Sequence, residues 1–169
     1  MKEKITVLIA DDNKDFSQTL AGYLEKQEDM EVIGMAKDGA EAVEMIANTI
    51  PDIALIDIIM PHLDGIGVLE KIGKLNLPKR PTCIMLSAVG QDKITQRAIL
   101  LGAEYYVVKP FDIEVLIKRI RQIKNDALKK MENCSNRNKF EAEYYISDDK
   151  TFDVQSYGKA RRAPRGIMY

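Results

Sequence analysis

The sequence predicts a doubly wound α/β fold, in which a five-stranded parallel sheet is flanked by five helices. Five short, almost continuously apolar runs recur along the chain, and segments with helical spacing of apolar residues separate them. Continuous apolar runs are typical of strands buried on both faces, and alternation of strands with helices implies parallel strands joined by right-handed crossovers. The chain has 169 residues, 46% of them hydrophobic, which suffices for one domain with a sizeable core.

The five apolar runs define the predicted strands in chain order. They are ITVLIA (5–10), EVIGMA (31–36), IALIDI (53–58), TCIMLS (82–87) and YYVVK (105–109). Each run is short and rich in β-branched or aliphatic residues, which favours a buried strand over a helix.

Apolar residues three or four positions apart predict the five helices that follow these strands. In chain order, the residues on the predicted buried faces are Phe16, Leu20 and Leu24; Ala42, Val43, Ile46 and Ala47; Ile66, Leu69 and Ile72; Ile94, Ala98 and Leu101; and Ile113, Leu116, Ile117, Ile120 and Ile123. This spacing places each set on one side of its helix. Asp112 precedes the last helix as a predicted N-cap.

The character of the chain changes near residue 130. Residues 131–169 contain few aliphatic side chains, show no sustained periodicity and end in a basic stretch. We therefore expect a domain over residues 1–130 and a weakly ordered tail over residues 131–169. The tail is too short for a helix-turn-helix with its own core, so we expect no effector domain in it.

The charge balance and the cysteine content limit the class of protein. The net charge is -1 and there are two cysteines, which favours neither a nucleic-acid-coating nor a membrane-surface protein and provides no disulfide framework. Acids, lysines or prolines interrupt every apolar run, so we expect neither a secretory signal nor a membrane span. A protein of the reducing cytoplasm fits these features.

Acidic, hydroxyl and basic side chains end four of the predicted strands. Asp11 and Asp12 follow the first strand, and Asp57, Ser87 and Lys109 lie at the ends of the third, fourth and fifth. Ligands of doubly wound sheets bind beyond the carboxyl ends of the strands, where the strand order reverses. We therefore expect these five side chains to converge on one site.

The three acids favour a site for a hard cation. Carboxylates at one sheet edge repel each other, and Mg²⁺ among them removes that repulsion because it prefers oxygen ligands. The predicted ligands are Asp11, Asp12, Asp57 and the backbone carbonyl of Ile59. With Lys109 and Ser87 around a tetrahedral anion, Asp57 would act as a nucleophile and form an aspartyl phosphate.

Simpler interpretations exist for each of these residues. Asp12 or Asn13 could cap the first helix, Lys109 could be a solvated strand end, and Ser87 an ordinary strand-terminal hydroxyl. His62 is the only histidine, and we interpret it as a surface turn residue because it lacks the convergent partner that a metal ligand or catalytic histidine needs. Convergence of the five side chains would favour the site over these separate roles.

Four motifs in a fixed order carry a resemblance to a known family. They are ADDN (10–13), Asp57 within LIDIIMP, Ser87 followed by Ala88, and Lys109 followed by Pro110. Together they resemble the receiver domain of two-component response regulators, which has a flavodoxin-like fold, over about residues 4–126. Three longer stretches resemble the receivers of sporulation regulators of spore-forming Firmicutes: DMEVIG (29–34), DIIMPHLDG (57–65) and VVKPFD (107–112).

The resemblance implies a role for each site residue. Asp57 matches the phosphoacceptor, and Lys109 matches the lysine that pairs with the phosphoryl group. Asp12, Asp57 and the carbonyl of Ile59 match the Mg²⁺ ligands, while Asp11 matches an acid that acts largely through water. The implied protein is not a turnover enzyme and catalyses only its own phosphorylation and slow dephosphorylation.

The resemblance also implies a switch and its partners. Ser87 matches the switch hydroxyl, although a threonine is often found there, and Tyr106 matches the aromatic residue expected to turn inward after phosphorylation. The implied donor is a histidine kinase or a bundle-type histidine phosphotransferase. The implied output is a phosphorylation-dependent homodimer that regulates sporulation-type transcription. It would reach DNA only through an effector domain that we do not find in this chain, and it would need no membrane.

Three alternatives share part of this pattern. A metal-dependent phosphatase with an aspartate nucleophile needs a second acid two residues further on, where Ile59 stands. A flavodoxin-like electron carrier needs a hydroxyl- and glycine-rich phosphate loop where ADDN stands. A protein-interaction module that is never phosphorylated needs none of the site residues.

Overall fold

Five parallel strands form the centre of the molecule. The computed structural model describes residues 3–88, 92–132, 143–145 and 151–152. The strands are β1 (Ile5–Ala10), β2 (Met30–Ala36), β3 (Ile53–Asp57), β4 (Thr82–Ala88) and β5 (Tyr105–Lys109). They lie in the order β2-β1-β3-β4-β5, and all of them are parallel. The predicted five-stranded parallel sheet is confirmed, and no strand boundary differs from its predicted position by more than one residue.

Two short strands extend the sheet beyond β5. β6 (Glu143–Tyr145) pairs with β5 in parallel, and β7 (Thr151–Phe152) pairs with β6 antiparallel. These strands lie in the segment predicted to be a weakly ordered tail, so the sheet is wider than the prediction. Most of the predicted tail, residues 133–142, 146–150 and 153–169, lies outside the described residues.

Five helices cover the two faces of the sheet. They are α1 (Lys14–Glu25), α2 (Gly39–Thr49), α3 (Gly65–Lys74), α4 (Asp92–Leu100) and α5 (Ile113–Glu132). α5 therefore continues two residues past the predicted domain end. The Asp112 carboxylate accepts a hydrogen bond of 2.8 Å from the Glu114 amide, which is the predicted N-cap. None of the helices in the described part of the chain has the length and apolar composition needed to cross a bilayer.

The sheet separates two apolar clusters. Side chains of α1 and α5 pack on one face, and those of α2, α3 and α4 pack on the other. Two residues predicted to line buried helix faces, Ala47 and Ile94, are instead exposed. In α4 the buried positions are Thr95 and Ala98, so the face of α4 that meets the sheet is displaced from the predicted one.

Asp52, Lys79 and Lys124 form a cluster of charged residues at the amino-terminal edge of the sheet. The Asp52 carboxylate, just before β3, accepts hydrogen bonds from the Thr6 amide (3.1 Å) and hydroxyl (3.2 Å). Lys79 and Lys124 pair with the same carboxylate, the latter at 3.1 Å. Burial alone would raise the pKa of Asp52, but the hydrogen bonds from Lys79, Thr6 and Lys124 outweigh it and lower the pKa to about 2. Asp52 thus joins β1, the α3–β4 loop and α5 at the edge opposite the candidate site.

Candidate functional site

The candidate site lies where the strand order reverses, at the carboxyl ends of β1 and β3. The chain leaves β1 for β2 on one side and returns to β3 on the other, which opens a crevice between β1 and β3. Asp11 follows β1 directly, and Asp57 is the last residue of β3. The topology of the sheet therefore brings acids 46 positions apart in sequence to neighbouring strand ends.

Three carboxylates converge at this crevice. Asp11, Asp12 and Asp57 each offer one carboxylate oxygen, and these oxygens all lie within 4.8 Å of one another. Asp11 is 2% exposed and Asp57 9%, whereas Asp12 is open to solvent. The Asn13 amide donates a 2.9 Å hydrogen bond to the Asp11 carboxylate. Two buried acids beside one exposed acid form a half-open cluster that a ligand from solvent can reach.

The N-cap of α1 is Asn13. Its side chain accepts a hydrogen bond of 3.1 Å from the Phe16 amide. Of the two caps that the sequence offered, Asn13 is therefore confirmed and Asp12 is wrong. Both acids of the ADDN motif stay directed to the site rather than to the helix end.

Lys109 places a positive charge beside the acids. Its Nζ atom lies 2.5 Å from Asp11 Oδ2 and 3.2 Å from Asp57 Oδ1. The peptide bond between Lys109 and Pro110, at the end of β5, is cis. The ammonium thus contacts both buried carboxylates, with the shorter contact to Asp11.

The pKa of Asp57 is raised by its surroundings. Burial raises the pKa of Asp57, Lys109 lowers it, and the charge of Asp11 raises it further, so the pKa of Asp57 lies above its ordinary value. One ammonium therefore does not compensate three neighbouring acids. The donor set, three carboxylates at a half-open edge, fits a hard divalent cation such as Mg²⁺, which takes oxygen ligands and retains water.

Ser87 and Tyr106 are the two residues that the sequence resemblance assigns to a switch, and both are buried. Ser87 is buried one position beyond Leu86, the β4 partner of Asp57, and its hydroxyl donates a 2.9 Å hydrogen bond to the Ala88 carbonyl. Tyr106 is also buried and packs in the cluster formed with α2, α3 and α4. The structure thus places the aromatic ring inward, while the hydroxyl of Ser87 bonds to the backbone of its own strand.

The loop between β3 and α3 carries the remaining predicted ligand, the carbonyl of Ile59. The Ile59 side chain is 62% exposed. Further along the loop His62 has a φ of 65°, and the Leu63 amide donates a 2.7 Å hydrogen bond to the Pro61 carbonyl. This is a γ-turn with a positive φ at a non-glycine residue, a strained conformation that neighbouring contacts must hold. His62 is exposed, in agreement with its interpretation as a surface turn residue.

Two glycines allow neighbouring backbone to approach this loop. A Cβ atom at Gly39 would lie 2.0 Å from the Leu63 carbonyl oxygen, and one at Gly65 would lie 2.4 Å from the Asp57 carbonyl oxygen. Real Cβ atoms essentially never approach so closely. Gly39, at the start of α2, and Gly65, at the start of α3, therefore let the loop pack directly against the two helices.

Sequence reasoning missed two contributors to the site. Phe16 was assigned only to the buried face of the first helix, yet the Lys109 ammonium lies 4.3 Å from the centre of its ring. Gly39 was assigned no role. The position of each residue in the sequence could have indicated its role. Phe16 lies four residues after Asp12, so it is in the first turn of the helix that starts at the site. Gly39 directly follows Asp38, the N-cap of the next helix.

Comparison with known proteins agrees on one family. The sequence model of the response regulator receiver domain matches residues 7–121. The chain is similar to the receiver domain of the Francisella response regulator 1452, with 31% identity, coverage of 73% of this chain and 99% of that one, and a TM-score of 0.66. It is also similar to the response regulator domain of Thermotoga maritima CheB, with 34% identity, coverage of 81% and 100%, and a TM-score of 0.59. The receiver domain of AraT, a response regulator from Geobacillus stearothermophilus, shows 28% identity, coverage of 75% and 97%, and a TM-score of 0.65.

Proposed function

Because the chain belongs to the response regulator receiver domain family, we propose that it is a signalling receiver whose Asp57 accepts a phosphoryl group from a phosphohistidine donor. The observation that carries this proposal is the contact of 3.2 Å between Lys109 Nζ and Asp57 Oδ1 within the cluster of three acids. It supports a nucleophilic carboxylate with a cation already placed to attract phosphoryl oxygens.

The proposed reaction is an in-line displacement at phosphorus. An Asp57 carboxylate oxygen forms a new P–O bond while the P–N bond to the donor imidazole breaks, and the electron pair of that bond returns to the nitrogen. Asp57 ends β3 and is held in place, since the Ile58 amide after it donates a 3.0 Å hydrogen bond to the Leu86 carbonyl. Lys109 then pairs with a phosphoryl oxygen, which it reaches from the neighbourhood of Asp57.

Asp12, Asp57 and the Ile59 carbonyl are the groups that would hold Mg²⁺, with Asp11 acting largely through water. When bound, the ion would neutralise charge on the phosphoryl oxygens in the transition state. Asp11 has a second role in this chain, because it pairs with Lys109 at 2.5 Å. That pair keeps the lysine at the site and its charge balanced before the donor arrives.

The test is phosphorylation by a small-molecule donor. The full chain is incubated with acetyl phosphate and MgCl₂, and intact mass is measured over time. We expect a gain of one phosphoryl group that is absent in Asp57→Asn and is suppressed when EDTA removes the divalent ion. Failure of the wild-type chain to gain mass would contradict the proposal and favour a protein-interaction module that works without phosphorylation.

The same incubation separates the receiver from a phosphatase. Ile59 stands where a phosphatase of this kind needs its second acid, and its side chain is largely exposed. We therefore expect no steady release of phosphate from ordinary phosphate monoesters. Sustained release that depends on Asp57 would favour the enzyme.

We also propose that phosphorylation promotes a homodimer through the face presented by α4 and α5, the helices on either side of β5, whose own edge pairs with β6. Exposed apolar side chains support it: Leu100 on α4 and Val115 on α5 both point to solvent. Ser87 and Tyr106, the proposed switch residues, lie on β4 and β5 beside this face. Light scattering of the chain with and without acetyl phosphate should show a rise towards twice the monomer mass that Leu100→Glu prevents, and an unchanged mass would count against the dimer.

A role in sporulation is a further part of the proposal. It rests on the three longer stretches DMEVIG, DIIMPHLDG and VVKPFD, and it places the chain in the cytoplasm, with transcription regulated only through a DNA-binding effector domain. A phosphorylated histidine phosphotransferase from a spore former should then transfer its phosphoryl group to Asp57 faster than a phosphotransferase from an unrelated system. Equal rates from both donors would argue against the sporulation role and leave the receiver function in place.

A further inference from the structure

We propose that Phe16 is a positioning residue for Lys109: its ring holds the ammonium against the buried acids and so presets the lysine for the incoming phosphoryl group. The inference rests on the proposed receiver function. It assigns a function to a side chain that the sequence pattern explains only as part of the core.

Three groups surround the Lys109 ammonium from separate elements. Asp11 Oδ2 lies at 2.5 Å, Asp57 Oδ1 at 3.2 Å and the centre of the Phe16 ring at 4.3 Å. A cation within about 6 Å of an aromatic centroid is attracted by the negative face of the ring. Lysine has a long and flexible side chain, so an attraction from a third direction restricts it more than the two acids alone would.

The Phe16 ring is itself held in place. Its centre lies 6.0 Å from that of Phe111, and the two rings meet edge to face at 89°. Phe111 lies two residues after Lys109, on the far side of Pro110, and both rings pack against the cluster between α1 and α5. The aromatic pair therefore brackets the strand end from which Lys109 extends, which ties the lysine to α1.

The environment favours a strong contact. Phe16 is half-buried and the Lys109 side chain is 27% exposed, so the ammonium is partly shielded from water. Cation–π attraction increases when the cation is desolvated. A second pair of this kind lies at the other end of α1, where Lys26, the C-cap residue, stands over the exposed ring of Tyr23 at 5.0 Å, away from the acids. Tyr23 therefore provides a matched control.

The first experiment measures the initial rate of phosphorylation of the full chain by acetyl phosphate with MgCl₂. This small donor needs no protein docking surface, so the rate reports on the site alone. We expect Phe16→Leu to lower the rate about threefold to tenfold, the range of a partly desolvated cation–π contact. We expect Phe16→Tyr, which keeps an aromatic face, to restore most of the rate, and Tyr23→Leu to leave it unchanged.

A double-mutant cycle distinguishes positioning from packing. If Phe16 acts through the lysine, Phe16→Leu should cause no further loss in a Lys109→Ala background. A loss of equal size in both backgrounds would overturn the inference, as would a wild-type rate for Phe16→Leu. Phe16→Met serves as a second apolar variant if Phe16→Leu does not fold.

The second experiment does not depend on phosphorylation. Brief treatment with acetic anhydride followed by peptide mass mapping gives the acetylation rate of each lysine. Phe16→Leu should raise the rate at Lys109 about threefold or more and leave Lys26 unchanged, whereas Tyr23→Leu should do the reverse. An unchanged rate at Lys109 would overturn the inference even if the wild-type chain accepted no phosphoryl group, a result that would contradict the proposed function separately.

Discussion

Replacement of Gly39 by alanine should impair phosphorylation although Gly39 is not among the acids. The added Cβ would lie 2.0 Å from the Leu63 carbonyl oxygen, and ordinary contact begins at 3.4 Å, so the two backbones must separate by about 1.4 Å. Leu63 belongs to the strained γ-turn of the loop that carries Ile59. The loop is also tied by the 2.8 Å hydrogen bond from the Gly65 amide to the Ile58 carbonyl, so a displacement at Leu63 should be transmitted to the residues after Asp57.

The expected size of the effect follows from this displacement. A misplacement of about 1 Å at a reacting group can lower a rate about a hundredfold. Small adjustments along the loop should absorb part of the displacement at Leu63 before it reaches Asp57. We therefore expect the rate of phosphorylation by acetyl phosphate to fall by about tenfold to a hundredfold. Overpacking typically costs about 1–3 kcal/mol and occasionally more; since the atoms met here are backbone, we expect a cost of about 3 kcal/mol, which a domain with about 5 kcal/mol or more of stability tolerates. Gly39→Ala should therefore remain folded by circular dichroism.

Gly22→Ala is the matched control for this prediction. Nothing lies within 4 Å of a Cβ atom at Gly22, which is inside α1. The substitution should stabilise the domain by about 0.5–1 kcal/mol and leave the phosphorylation rate unchanged. A wild-type rate for Gly39→Ala would refute the idea that the contact between α2 and the loop positions the site.

Three further predictions concern stability, measured by urea denaturation. The pKa of Asp52 is lowered from 3.8 to about 2 in the folded protein, so the ionised carboxylate adds about 2 kcal/mol to the free energy of unfolding above pH 4, and this contribution is lost as the pH falls towards 2. The free energies of unfolding of wild type and Asp52→Asn should therefore converge between pH 4 and pH 2. A difference that stays constant over this range would exclude the mechanism. Arg121 contacts Asp29 through two nitrogens at 2.7 and 2.8 Å. Since both side chains are more than a third exposed, solvent screens the pair, and Arg121→Lys should lower the free energy of unfolding by only about 0.5 kcal/mol. A loss above 2 kcal/mol would show that solvent does not screen the pair. Asn13→Ala removes the cap of α1 and should cost about 1 kcal/mol; an unchanged midpoint would show that the cap is dispensable.

The site was partly predictable because a parallel sheet has one carboxyl edge. Any polar residue that follows a buried strand in such a sheet comes to that edge, whatever its distance along the chain. Asp11, Asp57 and Lys109 could therefore be placed together from their positions after apolar runs. Their roles in phosphoryl transfer are predictions, which the reaction of the full chain and its Asp57→Asn variant with acetyl phosphate tests.

The details of the site could not be predicted in the same way. Lys109 and Asp11 are 98 positions apart, and nothing local shows that the lysine approaches Asp11 more closely than Asp57. The faces of short helices were similarly uncertain: Ile94 fits the apolar spacing of α4, yet Thr95 and Ala98 are the residues that turn to the sheet. Packing of α4 against β4 and β5, rather than its own sequence, decides which side is buried.

The sequence by itself determined the order of strands and helices along the chain and the set of polar groups at one sheet edge. Buried strands and helices each require a characteristic spacing of apolar residues, and this spacing is visible within a short stretch of sequence. Tertiary structure alone decided the contact of Phe16 with Lys109, the approach of Leu63 to Gly39 and the pairing of β6 with β5. Each of these contacts joins elements that are far apart in the chain and depends on how closely those elements pack. A change of one or two ångströms in that distance would make or break the contact, and the spacing of apolar residues does not encode it.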